Sequence, residues 1–320
     1  MTKLRRIGDS ELLVSRIGLG CNNVGRVLDR EGTRAIVDAA LEAGVNFVDT
    51  AERYGTNDGD SERLLGEALR GRRDQVVVAT KFGGGAPGGR ARGTADYISS
   101  AVEGSLRRLQ TDYIDLLYYH APDGVTPVAE TLGALHELVG RGTVRAIGCS
   151  NFSAAQISEA DRVALSSGTT RFVALQNQYS LLEREADADV IPLCRELSIG
   201  FVAYFPLANG LLTGKYKRGE PPPEGTRLSR WGRELLNDET FDELDRLAAF
   251  AEAQGRSLHE LALAAAASTP GVASVLVGAT TPEQVRANAG VDWELAPSVL
   301  EAIPRVEGRG VHTGPARIDE

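Results

Sequence analysis

Three apolar runs in this 320-residue chain end on a side chain able to move or hold a proton: "VNFVD" ends at Asp49, "QVVVATK" at Lys81 and "YIDLLYYH" at His120. Tyr54 follows Asp49 by five residues. If the runs are parallel strands, their C-terminal ends share one rim and the four groups converge. A charge left unpaired at such a half-buried place costs on the order of several kcal/mol, so Asp49 and Lys81 call for each other. The lysine is informative: of 35 lysines and arginines only four are lysine, at positions 3, 81, 215 and 217. Arginine holds its charge too firmly to exchange a proton, whereas lysine is a compact charge that tunes a neighbour.

These groups suit reduction of a carbonyl. A free tyrosine, with a pKa of about 10, is a poor acid near neutrality, and a neighbouring ammonium is expected to lower that value by stabilising the phenolate. Asp49 would hold Lys81 charged, Tyr54 would donate a proton to a carbonyl oxygen as it becomes an alkoxide, and His120 would orient that oxygen. No side chain supplies the hydride, so a redox cofactor is implied. The plain alternative is a structural Asp49–Lys81 ion pair with an unrelated histidine and tyrosine.

Eight continuous apolar runs are candidate strands: 15–20, 45–49, 75–81, 113–120, 144–150, 172–176, 199–205 and 272–278. Their lack of alternation suits strands buried on both faces of a parallel sheet. Amphipathic helical patterns lie between them, with Thr33 a candidate N-cap and Gly44 a stop for the first, and Asp60 or Ser61 a candidate cap for the second. This alternation predicts an α/β fold, a (β/α)8 barrel of the TIM type, with a doubly wound sheet as competitor. An N-terminal β-hairpin turning at Gly8–Asp9 is expected beneath it. With no linker in the sequence, residues 1–320 read as one domain. Two long loops, 83–93 and 217–238, follow strand ends on the face where barrel enzymes bind ligands.

Composition excludes other classes. The net charge of -9 gives no case for nucleic acid or an anionic membrane. No run is long and apolar enough for a membrane span, and no apolar segment follows "MTKLRR". Cys21, Cys149 and Cys194 are three and widely spaced, which argues against disulfides and favours a cytoplasmic setting. His136, His259 and His312 have no metal-ligand spacing, so no metal site is expected.

The motifs "DTAERYG", "SERLLGEALR", "VVATKFG", "SLRRLQTDYIDLLYYH", "IGCSNFS", "LQNQYS" and "FPLANGLLTGKY" resemble, in order, those of the aldo-keto reductase superfamily, in particular its bacterial reductases and potassium-channel β-subunit-like branch. The resemblance runs along nearly the whole chain. It implies a (β/α)8 barrel, hydride transfer from a nicotinamide to an aldehyde or ketone, and a catalytic tetrad at Asp49, Tyr54, Lys81 and His120. It places cofactor contacts at Gly20 and Cys21 beyond the first barrel strand, where Asn22 and Trp231 would join the pocket. Ser150, Asn151 and Gln176 fall where the family holds the carboxamide; helix capping is the simpler role for Ser150–Asn151. Tyr204 matches the aromatic that stacks on the nicotinamide ring. Pro206, Leu207 and Gly210 match the phosphate cradle, Lys215 and Arg227 the cations of the β-subunit branch, and Gly278, Thr280, Gln284 and Asn288 the adenosine side.

The sequence departs from the family at three of these places. Phe205 stands for a usual serine, Thr281 for a usual 2′-phosphate cation and Ala287 for a frequent glutamate. NADPH is the cofactor the resemblance implies, with NADH left open. Two other functions compete: a nucleotide-binding, redox-sensing regulatory subunit, and a barrel lyase forming a Schiff base at Lys81. The expected partner is a small carbonyl compound; the sequence does not speak to oligomeric state.

Overall fold

Each of the eight apolar runs becomes a strand, and each is paired in parallel with both neighbours. The computed structural model describes residues 4–84 and 89–305. A short antiparallel hairpin, β1 (Leu4–Arg6) and β2 (Leu13–Ser15), precedes the barrel strands β3 (Ile17–Gly20), β4 (Phe47–Asp49), β5 (Val77–Phe82), β6 (Ile114–Tyr119), β7 (Val144–Ser150), β8 (Ala174–Gln178), β9 (Gly200–Tyr204) and β10 (Val272–Gly278). They run in sequence order around the barrel, and β10 closes it by pairing with both β3 and β9. The doubly wound alternative is thereby excluded.

Helices α1 (Arg30–Glu42), α2 (Asp60–Ala68), α3 (Ala95–Leu109), α4 (Val128–Gly140), α5 (Ala154–Ser167) and α6 (Val190–Glu196) connect successive strands. The last crossover contains α7 (Arg227–Arg230), α8 (Asp238–Ala253) and α9 (Leu258–Ser268), and α10 (Pro282–Ala289) and α11 (Pro297–Ala302) follow β10. None of the described helices is long and apolar enough to cross a membrane.

Two helix starts differ from expectation. Asp29, not Thr33, caps α1: its side chain accepts from the Gly32 N–H, while the Thr33 hydroxyl lies inside the first turn and donates back to the Asp29 carbonyl. Gly59 caps α2 with φ 84°, a left-handed conformation that favours glycine, and the Arg108 side chain packs over it. Asp60 is thus already helical. Ser61 turns inward, hydrogen-bonded with Thr50 Oγ1 and donating to the Cys21 carbonyl.

The hairpin seats under the barrel as expected. Ile7 is fully buried, the Asp9 N–H donates to the Ser198 carbonyl, and Gly8 approaches so closely that a Cβ would lie 2.2 Å from the Val173 oxygen. Above it the interior is filled by Phe47, Ala79, Leu116, Tyr118, Ala146, Ala174, Val202 and Leu276. A barrel packed in this way has no pore, so chemistry is confined to its rims. Residues 217–238 are more ordered than a plain loop: α7 buries Leu228 completely, and Arg218 pairs with Asp238, Asp242 and Asp245. Residues 85–88 of the other long loop, His312 and the rest of the tail from 306 lie outside the described residues.

Candidate active site

Parallel pairing brings the strand ends to one rim, and the four expected side chains meet there. Asp49 ends β4, Lys81 lies near the end of β5, and His120 directly follows β6. The turn "TAER" is fixed by its backbone. The Thr50 N–H donates to the Ala79 carbonyl, the Glu52 N–H to Lys81 and the Tyr54 N–H to Ala51, which swings Tyr54 back over the mouth. Lys81 Nζ makes a short hydrogen bond with Asp49 Oδ2, donates to the Thr50 carbonyl at 3.0 Å and lies 3.4 Å from the Tyr54 hydroxyl. The Tyr54 and His120 rings meet edge to face, centroids 5.8 Å apart. Asp49, Lys81 and His120 are all buried.

The electrostatics correct one expectation. Burial raises the Tyr54 pKa, and the Lys81 cation pulls against that rise without cancelling it, while Asp49 adds to it. In the protein without bound ligands, Tyr54 therefore holds its proton more firmly than free tyrosine. Burial pushes the Lys81 ammonium down, but Asp49 and Tyr54 more than restore it, so its pKa is raised and it stays charged. The His120 imidazole is held neutral, its pKa brought down to about 3 by burial and then by the Lys81 and Arg53 charges. Its Nδ1 is buried without a hydrogen-bond partner among the described residues.

Polar residues brace this cluster. Gln176 Nε2 donates to Asp49 Oδ1 at 2.8 Å, and Ser150 Oγ donates to the Gln176 carbonyl. Asn151, with φ 60°, donates from Nδ2 to the His120 carbonyl and accepts at Oδ1 from the Tyr204 hydroxyl. Ser150 and Asn151 are not helix caps: α5 is capped by Ser153 in a reciprocal box with Gln156. Glu52 accepts from the Gly83 N–H and the Tyr97 hydroxyl, and so fixes the chain where it leaves β5.

The proposed cofactor positions form an arc along the same rim, with two exceptions. Gly20 pairs with both Asp49 and Gly278, and a Cβ on Gly278 would lie 3.3 Å from Asn22 Oδ1. Pro206, Leu207 and Gly210 follow β9, in a segment where Phe205, Ala208, Asn209 and Gly210 all have positive φ. The Gly210 backbone lies under the Lys215 ammonium; a Cβ there would be 2.6 Å from Nζ. Arg227 is stacked between the Phe205 ring at 4.7 Å and the Trp231 ring at 4.8 Å. Thr280 donates its N–H to Gln284 Oε1, and Thr281 caps α10.

Cys21 is the first exception. Its side chain is fully buried among Leu19, Val24 and Val37, its thiol pKa is raised by burial, and its N–H and carbonyl are used by Asp49 and Ser61. It does not line the mouth as the sequence suggested. Asn288 is the second: it is buried, with Oδ1 2.8 Å from His259 Nε2.

The rim fits an anionic dinucleotide. Lys215 and Arg227 are not ion-paired among the described residues. From Ala208 to Gly210 the backbone is left-handed, with the Ala208 and Gly210 N–H groups donated to the Phe205 and Leu207 carbonyls. Phe205 gives up the usual hydroxyl but provides a face for the Arg227 guanidinium, a compensation that sequence alone did not reveal.

Three further residues shape the site and were not singled out from the sequence. Glu52 and Arg53 lie inside the "DTAERYG" motif and were findable by position. Tyr118 is on β6, fully buried beneath the tetrad, its hydroxyl without a hydrogen bond of normal geometry among the described residues. In sequence it is indistinguishable from any apolar strand residue.

Comparison with known proteins agrees with this geometry. A family model described as Aldo/keto reductase family matches residues 16–306. A curated protein named "Probable voltage-gated potassium channel subunit beta" from Oryza sativa subsp. japonica is 36% identical over 315 residues, covering 94% of this chain and 95% of that protein. One of the same name from Arabidopsis thaliana is 34% identical over 315 residues, with the same coverage.

Proposed function

The chain belongs to the aldo/keto reductase family, and from that membership we propose that it is an NAD(P)H-dependent reductase converting an aldehyde or ketone to an alcohol, with Tyr54 as general acid. The observation that carries this reading is the Lys81 ammonium, fixed by Asp49 and lying 3.4 Å from the Tyr54 hydroxyl at the barrel mouth. A reduced nicotinamide, when bound, would supply the hydride for the carbonyl carbon. The residues do the rest. The neutral His120 imidazole and the Tyr54 hydroxyl orient the carbonyl oxygen. As negative charge grows on that oxygen, Tyr54 releases its proton to it, and Lys81 stabilises the phenolate left behind. A raised resting pKa suits an acid that must keep its proton until the oxygen becomes basic.

NADPH is the proposed cofactor. Lys215 and Arg227 offer the cations that Thr281 does not, with the phosphates along Pro206, Leu207 and Gly210. Ser150, Asn151, Gln176 and Tyr204 would frame the nicotinamide, and Gly20, Gly278, Thr280 and Gln284 the remainder. Asn288 would act there only by supporting α10, and Cys21 only through the packing of the rim. The working unit is proposed to be the single barrel domain, acting in the cytoplasm on a small carbonyl compound.

A second reading, a nucleotide-binding regulatory subunit, has the names of the two plant relatives in its favour. The full tetrad weighs against a purely regulatory role. A Schiff base at Lys81 requires a free amine, and Asp49 holds that nitrogen as ammonium. The test is loss of reduced-nicotinamide absorbance with NADPH and with NADH, each against a broad carbonyl panel. Turnover of at least one carbonyl is expected. Nucleotide binding with no turnover across the panel would favour the regulatory subunit.

A further inference from the structure

Two guanidinium groups meet on one carbonyl oxygen beside the tetrad. Arg53 Nη1 donates to the Gly84 oxygen at 2.8 Å, and Arg92 Nη1 donates to the same oxygen. The two arginines come from different loops: Arg53 lies between β4 and α2, and Arg92 between β5 and α3. Neither is ion-paired among the described residues. The carboxylates near them are engaged elsewhere. Glu52 accepts from Gly83 and Tyr97, and Asp123 accepts from the backbone N–H groups of Arg92, Gly93, Val125 and Thr126 and from the Thr126 hydroxyl. A neutral carbonyl thus bridges two cations, neither of which is in contact with a carboxylate among the described residues.

The pair adjoins the reacting groups. A Cβ built on Gly84 would lie 2.9 Å from His120 Nδ1 and 3.0 Å from Arg53 Cδ, so the imidazole and the arginine flank the same glycine. Both residues are half-buried, and each guanidinium has N–H donors to spare beyond the Gly84 bond. A planar carboxylate matches that fork geometry and would give both guanidinium groups a charged acceptor in direct contact.

We propose that Arg53 and Arg92 form a carboxylate subsite, so that the substrates are aldehydes or ketones carrying a carboxylate on the His120 side of the carbonyl. This rests on the reductase reading, which it narrows. Neutral carbonyls would lack the second anchor, and acidic ones would also be drawn in faster at low salt.

A matched pair of compounds tests it: 4-formylbenzoate and its methyl ester. The quantity to follow is the ratio of kcat/KM for acid over ester, in wild type, Arg92→Gln, Arg92→Lys and Arg53→Gln. The acid should be preferred by wild type, and each glutamine variant should lower the ratio about 10- to 100-fold, as expected for a lost charged hydrogen bond. Arg92→Lys should recover part of it. Calorimetric binding of the two compounds to wild type and Arg92→Gln gives a readout independent of turnover. If neither compound turns over but wild type still binds the acid selectively and Arg92→Gln does not, the reductase reading fails and the subsite stands. Equal handling of acid and ester by wild type, or a ratio unmoved by both glutamine variants, overturns the subsite.

Discussion

Gln176 and Asp49 are joined by a 2.8 Å hydrogen bond across the barrel mouth, from strands that stand four places apart in a ring of eight. The bond takes Asp49 Oδ1 and leaves Oδ2 to Lys81. Each carboxylate oxygen thus has its own donor, which fixes the plane of the carboxylate and with it the position of the ammonium under Tyr54. Gln176, expected from the sequence to hold a cofactor amide, in the structure orients the Asp49 carboxylate that anchors Lys81.

Removing one partner of a buried ion pair strands the other, at a cost of about 3–5 kcal/mol. Asp49→Asn should lower the unfolding free energy by about that amount in urea titrations, and the double variant Asp49→Asn with Lys81→Met should recover part of it. A single variant within about 1 kcal/mol of wild type would mean that Lys81 is satisfied by Thr50 alone.

His120 gives a pH signature. Its folded pKa is depressed to about 3, while the unfolded chain takes up that proton near about 6.5. Between those values the unfolded state binds more protons, so stability falls as pH drops through the window. His120→Asn removes this contribution. Relative to the variant, wild type should lose about 2–3 kcal/mol between pH 6.5 and 4.5, at roughly 1.4 kcal/mol per pH unit. The activity profile should show no limb near 6.5. Parallel stability curves, or an activity limb at 6.5, would show that the imidazole titrates normally.

Arg227 is held between Phe205 and Trp231 without an ion pair among the described residues, as a cation awaiting an anion would be. Arg227→Gln should weaken NADPH binding by about 10- to 100-fold and flatten its salt dependence. Fluorescence titration measures both. An unchanged NADPH affinity would remove Arg227 from the proposed cofactor site.

Tyr118 and Gly148 make a packing prediction. A Cβ on Gly148 would lie 2.6 Å from Tyr118 Cε1, so Gly148→Ala should cost about 1–3 kcal/mol by overpacking. Tyr118→Leu should relieve only part of that cost, because the Ala174 carbonyl oxygen also lies 2.8 Å from that Cβ. Tyr118→Phe alone should change stability by about 1 kcal/mol or less, because the hydroxyl makes no hydrogen bond of normal geometry among the described residues. Thermal denaturation of wild type, the three single variants and the Gly148→Ala/Tyr118→Leu double decides it, and additive losses would rule out the contact.

Much of this was legible in the sequence, because the barrel writes its strands as continuous apolar runs and the tetrad lies at their ends. All eight strands fell where the runs predicted them, within a few residues. Long-range compensation was not legible. The inward turn of Ser61, Phe205 serving as a platform for Arg227, and Gln176 bonding to Asp49 each depend on residues far apart in the chain. The Tyr54 pKa went the other way from the sequence argument for a related reason: proximity to Lys81 was readable, but the degree of burial was not. Arg53 and Arg92 likewise meet only because two loops converge on Gly84.

The central claim is that Tyr54 is the proton donor and not a cofactor anchor. The direct measurement is single-turnover oxidation of bound NADPH by an aldehyde substrate in wild type and Tyr54→Phe, with NADPH affinity determined on the same samples. The account predicts a loss of about 10²- to 10⁴-fold in the hydride-transfer rate, with nucleotide affinity nearly unchanged. A variant that loses NADPH affinity but transfers hydride at the wild-type rate once saturated would contradict it.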